Sequence, residues 1–261
     1  MLFVTGDIHA DSKRMWDAVG RAEDLVGRDL EPSDEMLLLG DVGLFYGDFE
    51  SRQLLNAMLT VGCRWVVLRG NHDARYWRDI RSGRYLGGSP WHVRRWRGGD
   101  ALESDAARGV LFLPDAGGRY ELAGHPMLAI PGAFSVDGAY RVANRLPYEP
   151  NEQLSWAEAD AIAGIAQGGG IEFVMSHTCP LSWLDGMRDL LLPGLDQSRI
   201  DKGMERMMDL VLDAVEPTLR GWWFGHYHGD RLIDGTGGRG RLMFDDVEAL
   251  PWAGGLDLRS I

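Results

Sequence analysis

Residues 64–73 read Arg64-Trp65-Val66-Val67-Leu68-Arg69-Gly70-Asn71-His72-Asp73. An apolar, β-prone run stops at an Arg-Gly pair, and three polar side chains follow at once. A short apolar run bounded by such a turn signal has the form of a strand buried on both faces. The same phrase occurs twice upstream: Leu2 to Thr5 runs into Gly6 and Asp7-Ile8-His9, and Glu35 to Leu39 runs into Gly40-Asp41. Between these runs, Ser12 to Val26 and Ser51 to Leu59 have helical spacing. Apolar strands alternating with amphipathic helices predict an α/β fold with parallel neighbours and a sheet covered on both faces.

Downstream the chain is less periodic. Val110 to Leu113, Arg119 to Leu122 and Met127 to Ile130 read as short strands of a meander, with turns at Pro114-Asp115, Gly117-Gly118 and Gly124-His125-Pro126. A helix is expected to open at Asn151-Glu152-Gln153 and run to about Ala166, where Gly168-Gly169-Gly170 stops it. Ile171 to Met175 is then a buried strand with Ser176-His177 at its end, Asp201 to Val215 a helix before Pro217, and Leu219 to Phe224 a strand ending at Gly225-His226. Strands near Arg231 to Ile233 and Arg241 to Phe244 complete the pattern. No linker, repeat or low-complexity stretch divides residues 1–261, so one domain is expected.

A chain that is 45% hydrophobic and 25% charged has the composition of an ordinary soluble globular protein. Met1 to Ala10 lacks a basic segment and reads as a first strand rather than a signal peptide. No stretch approaches the roughly 18 apolar residues of a spanning helix. With only Cys63 and Cys179 present and far apart, the expectation is a cytoplasmic, disulfide-free protein with no membrane partner. The net charge of -12 argues against a general nucleic-acid binder. Locally the balance reverses, for Arg75 to Arg97 holds seven arginines against Asp79, interleaved with Trp77, Tyr85, Trp91 and Trp96. This stretch reads either as a solvated face with packed arginine stems, or as a rim for a phosphate-bearing substrate with tryptophans as stacking platforms.

Asp7 and His9, Asp41, Asn71-His72-Asp73, His177, and His226 and His228 all fall just beyond apolar strands. In open α/β sheets the carboxyl ends of strands line the crevice where ligands bind. Each fragment also has an ordinary reading: Gly-Asp is turn chemistry, Asn71 and Asp73 suit a helix cap, and a lone histidine suits a core. The spacing of His226 and His228 puts both rings on one side of extended backbone. Unrelated loops have no reason to repeat the placement in this order.

These five blocks resemble the calcineurin-like metallophosphoesterase superfamily, whose pattern runs D-x-H, G-D, G-N-H-D/E, an isolated His and G-H-x-H. All are complete and in order between residues 7 and 228, in the manner of a small bacterial or phage-type member. The resemblance implies a sandwich of mixed β-sheets flanked by helices. It implies one cation held by Asp7, His9, Asp41 and His228 and a second by Asp41, Asn71, His177 and His226, with Asp41 bridging. Manganese is expected; iron, zinc, nickel and cobalt suit the same oxygen and nitrogen donors. It further implies that a metal-activated hydroxide attacks a phosphate ester, phosphodiesters preferred, while His72 protonates the leaving oxygen. Asp73 orients His72 or caps a helix. A nucleotide or nucleic acid falls within that substrate range; a phosphomonoesterase and a silent binding scaffold are the alternatives. The Ser/Thr protein phosphatases continue their second block as G-D-x-x-D-R-G, whereas this chain reads Gly40-Asp41-Val42-Gly43-Leu44-Phe45-Tyr46, which disfavours that role. Gly132 to Asp137 with Arg141 is similar to a stretch in small bacterial and phage-type members, making Arg141 either a substrate contact or a surface arginine. Selectivity is expected from three loops, Arg75 to Gly99, Ala133 to Pro150 and Cys179 to Lys202. The last carries Trp183, Leu184, Met187, Leu190, Leu191 and Leu192, as a lid, a dimer contact or core.

Overall fold

The three apolar runs of the N-terminal third become β1 (Leu2–Thr5), β2 (Glu35–Leu38) and β3 (Arg64–Val67), paired in parallel so that Leu2 lies opposite Glu35 and Glu35 opposite Arg64. The computed structural model describes residues 1–47, 49–79, 86–146, 148–191 and 200–250. Helix α1 (Ser12–Val26) starts where Asp11 accepts hydrogen bonds from the backbone N–H groups of Lys13 and Arg14, and α2 (Phe49–Met58) lies between β2 and β3. A short α3 (Tyr76–Asp79) follows β3. The remaining elements are β4 (Trp91–Trp96), β5 (Gly99–Ser104), β6 (Val110–Phe112), β7 (Gly118–Leu122), β8 (His125–Ile130), α4 (Gly138–Ala143), α5 (Trp156–Gln167), β9 (Phe173–Ser176), α6 (Gly203–Val215), β10 (Gly221–Phe224), β11 (Arg231–Leu232), β12 (Gly240–Leu242) and β13 (Glu248–Leu250).

Two mixed sheets result, in the orders β13-β1-β2-β3-β6-β5-β4 and β11-β12-β10-β9-β8-β7. Alternation along the strands divides their side chains between layers. Phe3, Met36, Leu38, Trp65 and Val67 pack with Met15 and Val19 of α1 and Leu54 and Met58 of α2. Their neighbours Leu2, Val4, Leu37, Leu39, Val66 and Leu68 meet Met127, Ala129, Met175 and Trp223 of the second sheet. On the far side of that sheet, Leu128, Ile130, Val174, Trp222 and Phe224 pack with Ile162 of α5 and Met208 and Val211 of α6. The sandwich implied by the resemblance is what forms. The expectation of a sheet covered on both faces is met: each sheet has helices on one face and the other sheet on the opposite face. Either cover is apolar, so both arrangements leave the same unbroken hydrophobic run in sequence.

The departures are local. Val110 to Leu113 does not open a meander: β6 pairs with β3 in the first sheet, while β7 and β8 form a hairpin in the second. Residues within the basic stretch form the β4–β5 hairpin, whose charges pair across strands: Arg95 meets Asp100 directly opposite, and Arg94 meets Glu103. Helix α5 starts at Trp156 rather than Asn151, because Ser155 and Glu158 form a reciprocal capping box there. Arg81, Arg84, Tyr85 and Leu192 lie outside the described residues.

Candidate metal centre

All five polar blocks stand beyond the carboxyl ends of parallel strands, β1, β2 and β3 from one sheet and β9 and β10 from the other. The loops are stitched together within and between sheets. His9 N–H donates to the Asp41 carbonyl at 2.7 Å, Gly225 N–H to the His177 carbonyl at 3.0 Å, and the His177 ring bonds the Leu39 carbonyl through Nδ1 at 2.7 Å. Glycine is required where the sheets come closest. A Cβ on Gly40, whose φ is +106°, would lie 2.2 Å from His177 Nδ1, and one on Gly225 would lie 2.5 Å from Asp7 Oδ1. Five of the nine non-glycine residues with positive φ among the described residues also sit here: His9, Ala10, Asp41, His226 and His228. Such backbone costs about 1 kcal/mol or more each and persists where surrounding contacts over-determine it. His226 and His228 are therefore not on one side of an extended segment; the turn sends their rings to different partners.

Asp7, His9 and His228 form one group, with ligand atoms all within 4.8 Å of one another. His9 Nε2 stands 3.0 Å from His228 Nε2, and that nitrogen stands 3.3 Å from Asp7 Oδ2. Asp7 is fully buried and is held by the His226 backbone N–H at 3.0 Å. Asp41, Asn71, His177 and His226, the second set that the resemblance implies, lie beside the first group, with His177 Nδ1 3.7 Å from Asp7 Oδ1. His177 Nε2 lies 2.8 Å from Asn71 Oδ1 and 3.5 Å from Asp41 Oδ2, and the His177 and His226 rings are 5.1 Å apart. The Leu39 carbonyl can only accept, so it keeps the Nδ1 proton and leaves the Nε2 lone pair facing the two oxygens. Asn71 presents Oδ1 because its Nδ2 donates to Ser135 Oγ at 2.8 Å, and Ser135 N–H in turn donates to Glu152 Oε1 at 2.7 Å. Without a proton on Nε2, His177, Asn71 and Asp41 present converging acceptors, a set that fits a cation.

The electrostatics carry the same imprint. Burial opposes charge on Asp41, but His177, His72 and His9 hold its carboxyl well below the usual range. Burial also opposes charge on His177, yet Asp41, Asp7 and the Leu39 carbonyl outweigh it and raise the ring to about 9. A proton there compensates the carboxylates in the way a cation would. His226, buried and beside His177, falls to about 3 and is a neutral donor.

His72 stands at the edge of this centre, its backbone N–H on Asp41 Oδ1 at 2.8 Å and its Nε2 3.8 Å from Asp41 Oδ2. Burial lowers its pKa, and Arg141 adds to the lowering against the pull of Asp41. Asp73 has a different duty from orienting His72 or capping a helix: its carboxylate accepts the backbone N–H groups of Val42, Gly43 and Gly70 at 3.2, 3.0 and 3.0 Å. It clamps the loops after β2 and β3 together. Arg141, on α4, bonds Asp137 through Nε at 2.8 Å. A cavity of about 450 Å³ opens onto Asp41, Asn71, His72, His226 and His228, walled by parts of the Ala133–Pro150 and Cys179–Lys202 segments.

No described residue of the third selectivity loop lines that cavity. In Arg75 to Gly99 the described arginines are ion-paired, Arg75 with Glu158, Arg78 with Glu149, Arg94 with Glu103, Arg95 with Asp100 and Arg97 with Glu35. Trp77 and Trp91 pack on the α1–α2 core and Trp96 is buried between the sheets. They are not stacking platforms. Conversely, Ser135, Glu152 and Glu205 support the centre or its cavity without any local signal in sequence.

A sequence profile described as calcineurin-like phosphoesterase matches residues 2–230. No curated protein matches the chain. Among solved structures, the phosphopantetheinyl hydrolase of Mycobacterium tuberculosis is 17% identical over 93% of this chain and 87% of its own, with a TM-score of 0.41. A cold-active protein tyrosine phosphatase is 13% identical over 94% and 69%, with a TM-score of 0.37. A protein of unknown function from Aquifex aeolicus is 14% identical over 68% and 80%, with a TM-score of 0.35.

Proposed function

The chain belongs to the calcineurin-like phosphoesterase family and is a metal-dependent phosphoester hydrolase, and on that premise we propose that it holds two divalent cations and cleaves phosphodiesters. Asp7, His9, Asp41 and His228 would hold one ion and Asp41, Asn71, His177 and His226 the other, manganese by preference. The observation that carries this reading is the second cluster, where His177 Nε2 lies 2.8 Å from Asn71 Oδ1 and 3.5 Å from Asp41 Oδ2. Bound cations would attract the phosphate and lower the pKa of a water from about 15.7 toward roughly 7.

The chain's own residues supply the rest. Phosphate arriving beside His72 adds negative charge and so raises the ring's affinity for a proton. The protonated ring then gives that proton to the leaving oxygen as the P–O bond breaks, and water supplies the new P–O bond, so one alcohol and one phosphomonoester result. Asp41 holds the backbone of His72, which keeps the ring at the cavity edge. Diester preference is supported by the cavity walls: among the described lining residues, Asp137, Asp189, Asp201 and Glu205 are set against the single ammonium of Lys202. A monoester dianion meets more repulsion there than a diester monoanion. A cytoplasmic location is supported by Cys63 and Cys179, both buried free thiols; no described helix is long and apolar enough to cross a membrane.

Calorimetric titration with manganese, alongside turnover of bis-p-nitrophenyl phosphate and p-nitrophenyl phosphate, tests the reading. Two equivalents bound and faster diester cleavage are expected. Binding of fewer ions removes the binuclear centre, and cleavage of the monoester only removes the diester preference.

A further inference from the structure

The Cys179–Lys202 segment divides its described part between two duties. Trp183, Leu184 and Met187 are buried in the core shared by the second sheet and α6. Leu184, Leu190 and Leu191 line the cavity beside the metal centre, together with Phe134, Val136 and Tyr227. These side chains give the space next to the phosphate site an apolar side.

Asp137, Asp189, Asp201 and Lys202 share the wall without being buried, and outside the metal centre one polar group of the lining is buried. Glu205, in the first turn of α6, lines the cavity and is only 4% exposed. Its Oε1 accepts from Thr178 Oγ1 at 2.8 Å and from the Tyr227 hydroxyl at 3.4 Å. Its Oε2 is buried without a hydrogen-bond partner. A buried carboxyl oxygen lacking a donor is costly, and native proteins retain such a group mainly where something else satisfies it.

We propose that the cavity receives one ester arm of a small-molecule phosphodiester, an aliphatic arm bearing a hydroxyl or amide that satisfies Glu205, rather than a polynucleotide. The proposal rests on the phosphodiesterase reading above. A cavity of about 450 Å³ suits a small ligand. A polynucleotide would need unpaired cations for its backbone and aromatic faces for its bases; the described arginines between Arg75 and Arg97 are paired, and Trp77, Trp91 and Trp96 are packed away. Although Asp137, Asp189 and Asp201 outnumber Lys202 on the wall, an ammonium would have to shed its water to reach the buried Glu205 carboxyl, which disfavours a cationic arm. Glu205 is also tied to the catalytic loops, since Thr178 follows His177 and Tyr227 separates His226 from His228. An arm seated on Glu205 fixes where its phosphate lies, so the gain falls on kcat as well as KM.

The test uses the manganese-loaded full chain and four p-nitrophenyl phosphodiesters whose second arm is hexyl, hydroxyhexyl, aminohexyl or thymidylyl. In each, water adds to phosphorus and the P–O bond to nitrophenol breaks. The hydroxyhexyl ester is expected to exceed the hexyl ester in kcat/KM by about tenfold or more, and to exceed the other two. Glu205→Ala should bring the hydroxyhexyl-to-hexyl ratio near one. Glu205→Gln, which keeps an acceptor for Thr178 but puts an amide donor in place of the orphan oxygen, should lower the ratio too and guards against a folding defect in the alanine variant. Equal cleavage of all four esters, preference for the aminohexyl or thymidylyl arm, or an unchanged ratio in both variants overturns the arm assignment while leaving a phosphodiesterase. Failure of the wild type to cleave any of the four overturns both.

Discussion

At the scale of single residues, the direction in which Asn71 faces depends on a buried serine. Burial pushes the Glu152 carboxyl up, while the Ser135 hydroxyl and backbone N–H hold it down. With its proton engaged by Glu152, the hydroxyl is left to accept Asn71 Nδ2, which turns Oδ1 toward His177. Ser135→Ala is therefore expected to weaken one of two manganese ions by about 10–100-fold, with Ser135→Thr restoring it, as read by calorimetric titration. Unaltered affinity for both ions would refute the relay. His72→Ala should retain metal and lose about 10²–10⁴-fold in kcat, whereas Asp41→Asn should lose metal as well; a fully active His72→Ala enzyme removes the ring from the chemistry. The donors themselves were legible because each follows an apolar strand and its turn, a relation contained within a few residues. Ser135 and Glu152 were not, for their meaning comes from a contact 64 positions away in the chain, and nothing in Ala133-Phe134-Ser135 distinguishes that serine from a turn residue.

At the scale of elements, the start of α5 links helix, loop and strand. Glu158 caps the helix with Ser155 and pairs with Arg75 Nη1 at 2.6 Å. Burial opposes its charge, yet Arg75 and Ser155 bring the carboxyl down to about 2. A carboxyl whose folded pKa is below its unfolded value, about 4.3, stabilises the fold above that unfolded value and loses its contribution as pH falls toward the folded one. Glu158→Gln should therefore be less stable than wild type at neutral pH and decline less steeply from about pH 5 to about pH 2, measured as urea midpoints. Parallel declines would show that the pair contributes nothing. The sequence expectation starts this helix five residues early, at Asn151 instead of Trp156, because Asn151 and Ser155 are both good caps and only Ser155 has Glu158 at the reciprocal position. The β4–β5 hairpin escaped notice for a related reason. Its arginines look like a charge run until the opposing strand supplies Asp100 and Glu103.

At the scale of the whole molecule, a net charge of -12 and internally paired arginines leave little to attract a polyanion. Single-stranded DNA is expected to show no salt-dependent gel shift, and a shift that weakens steeply with salt would contradict that. The strands that precede the five polar blocks and the donor chemistry at their ends were determined by sequence alone, since both arise from neighbours in the covalent chain: apolar runs, breakers and the residues just after them. Only the tertiary structure decided that two sheets rather than one sheet and more helices cover those strands, because an apolar face is satisfied by either. Packing likewise assigned Asp73 to a backbone clamp and divided the 184–191 segment between core and cavity wall. It left Glu205 with an unsatisfied oxygen at that wall. Each of these outcomes depends on which distant side chain arrives, and a one-dimensional pattern holds no record of that.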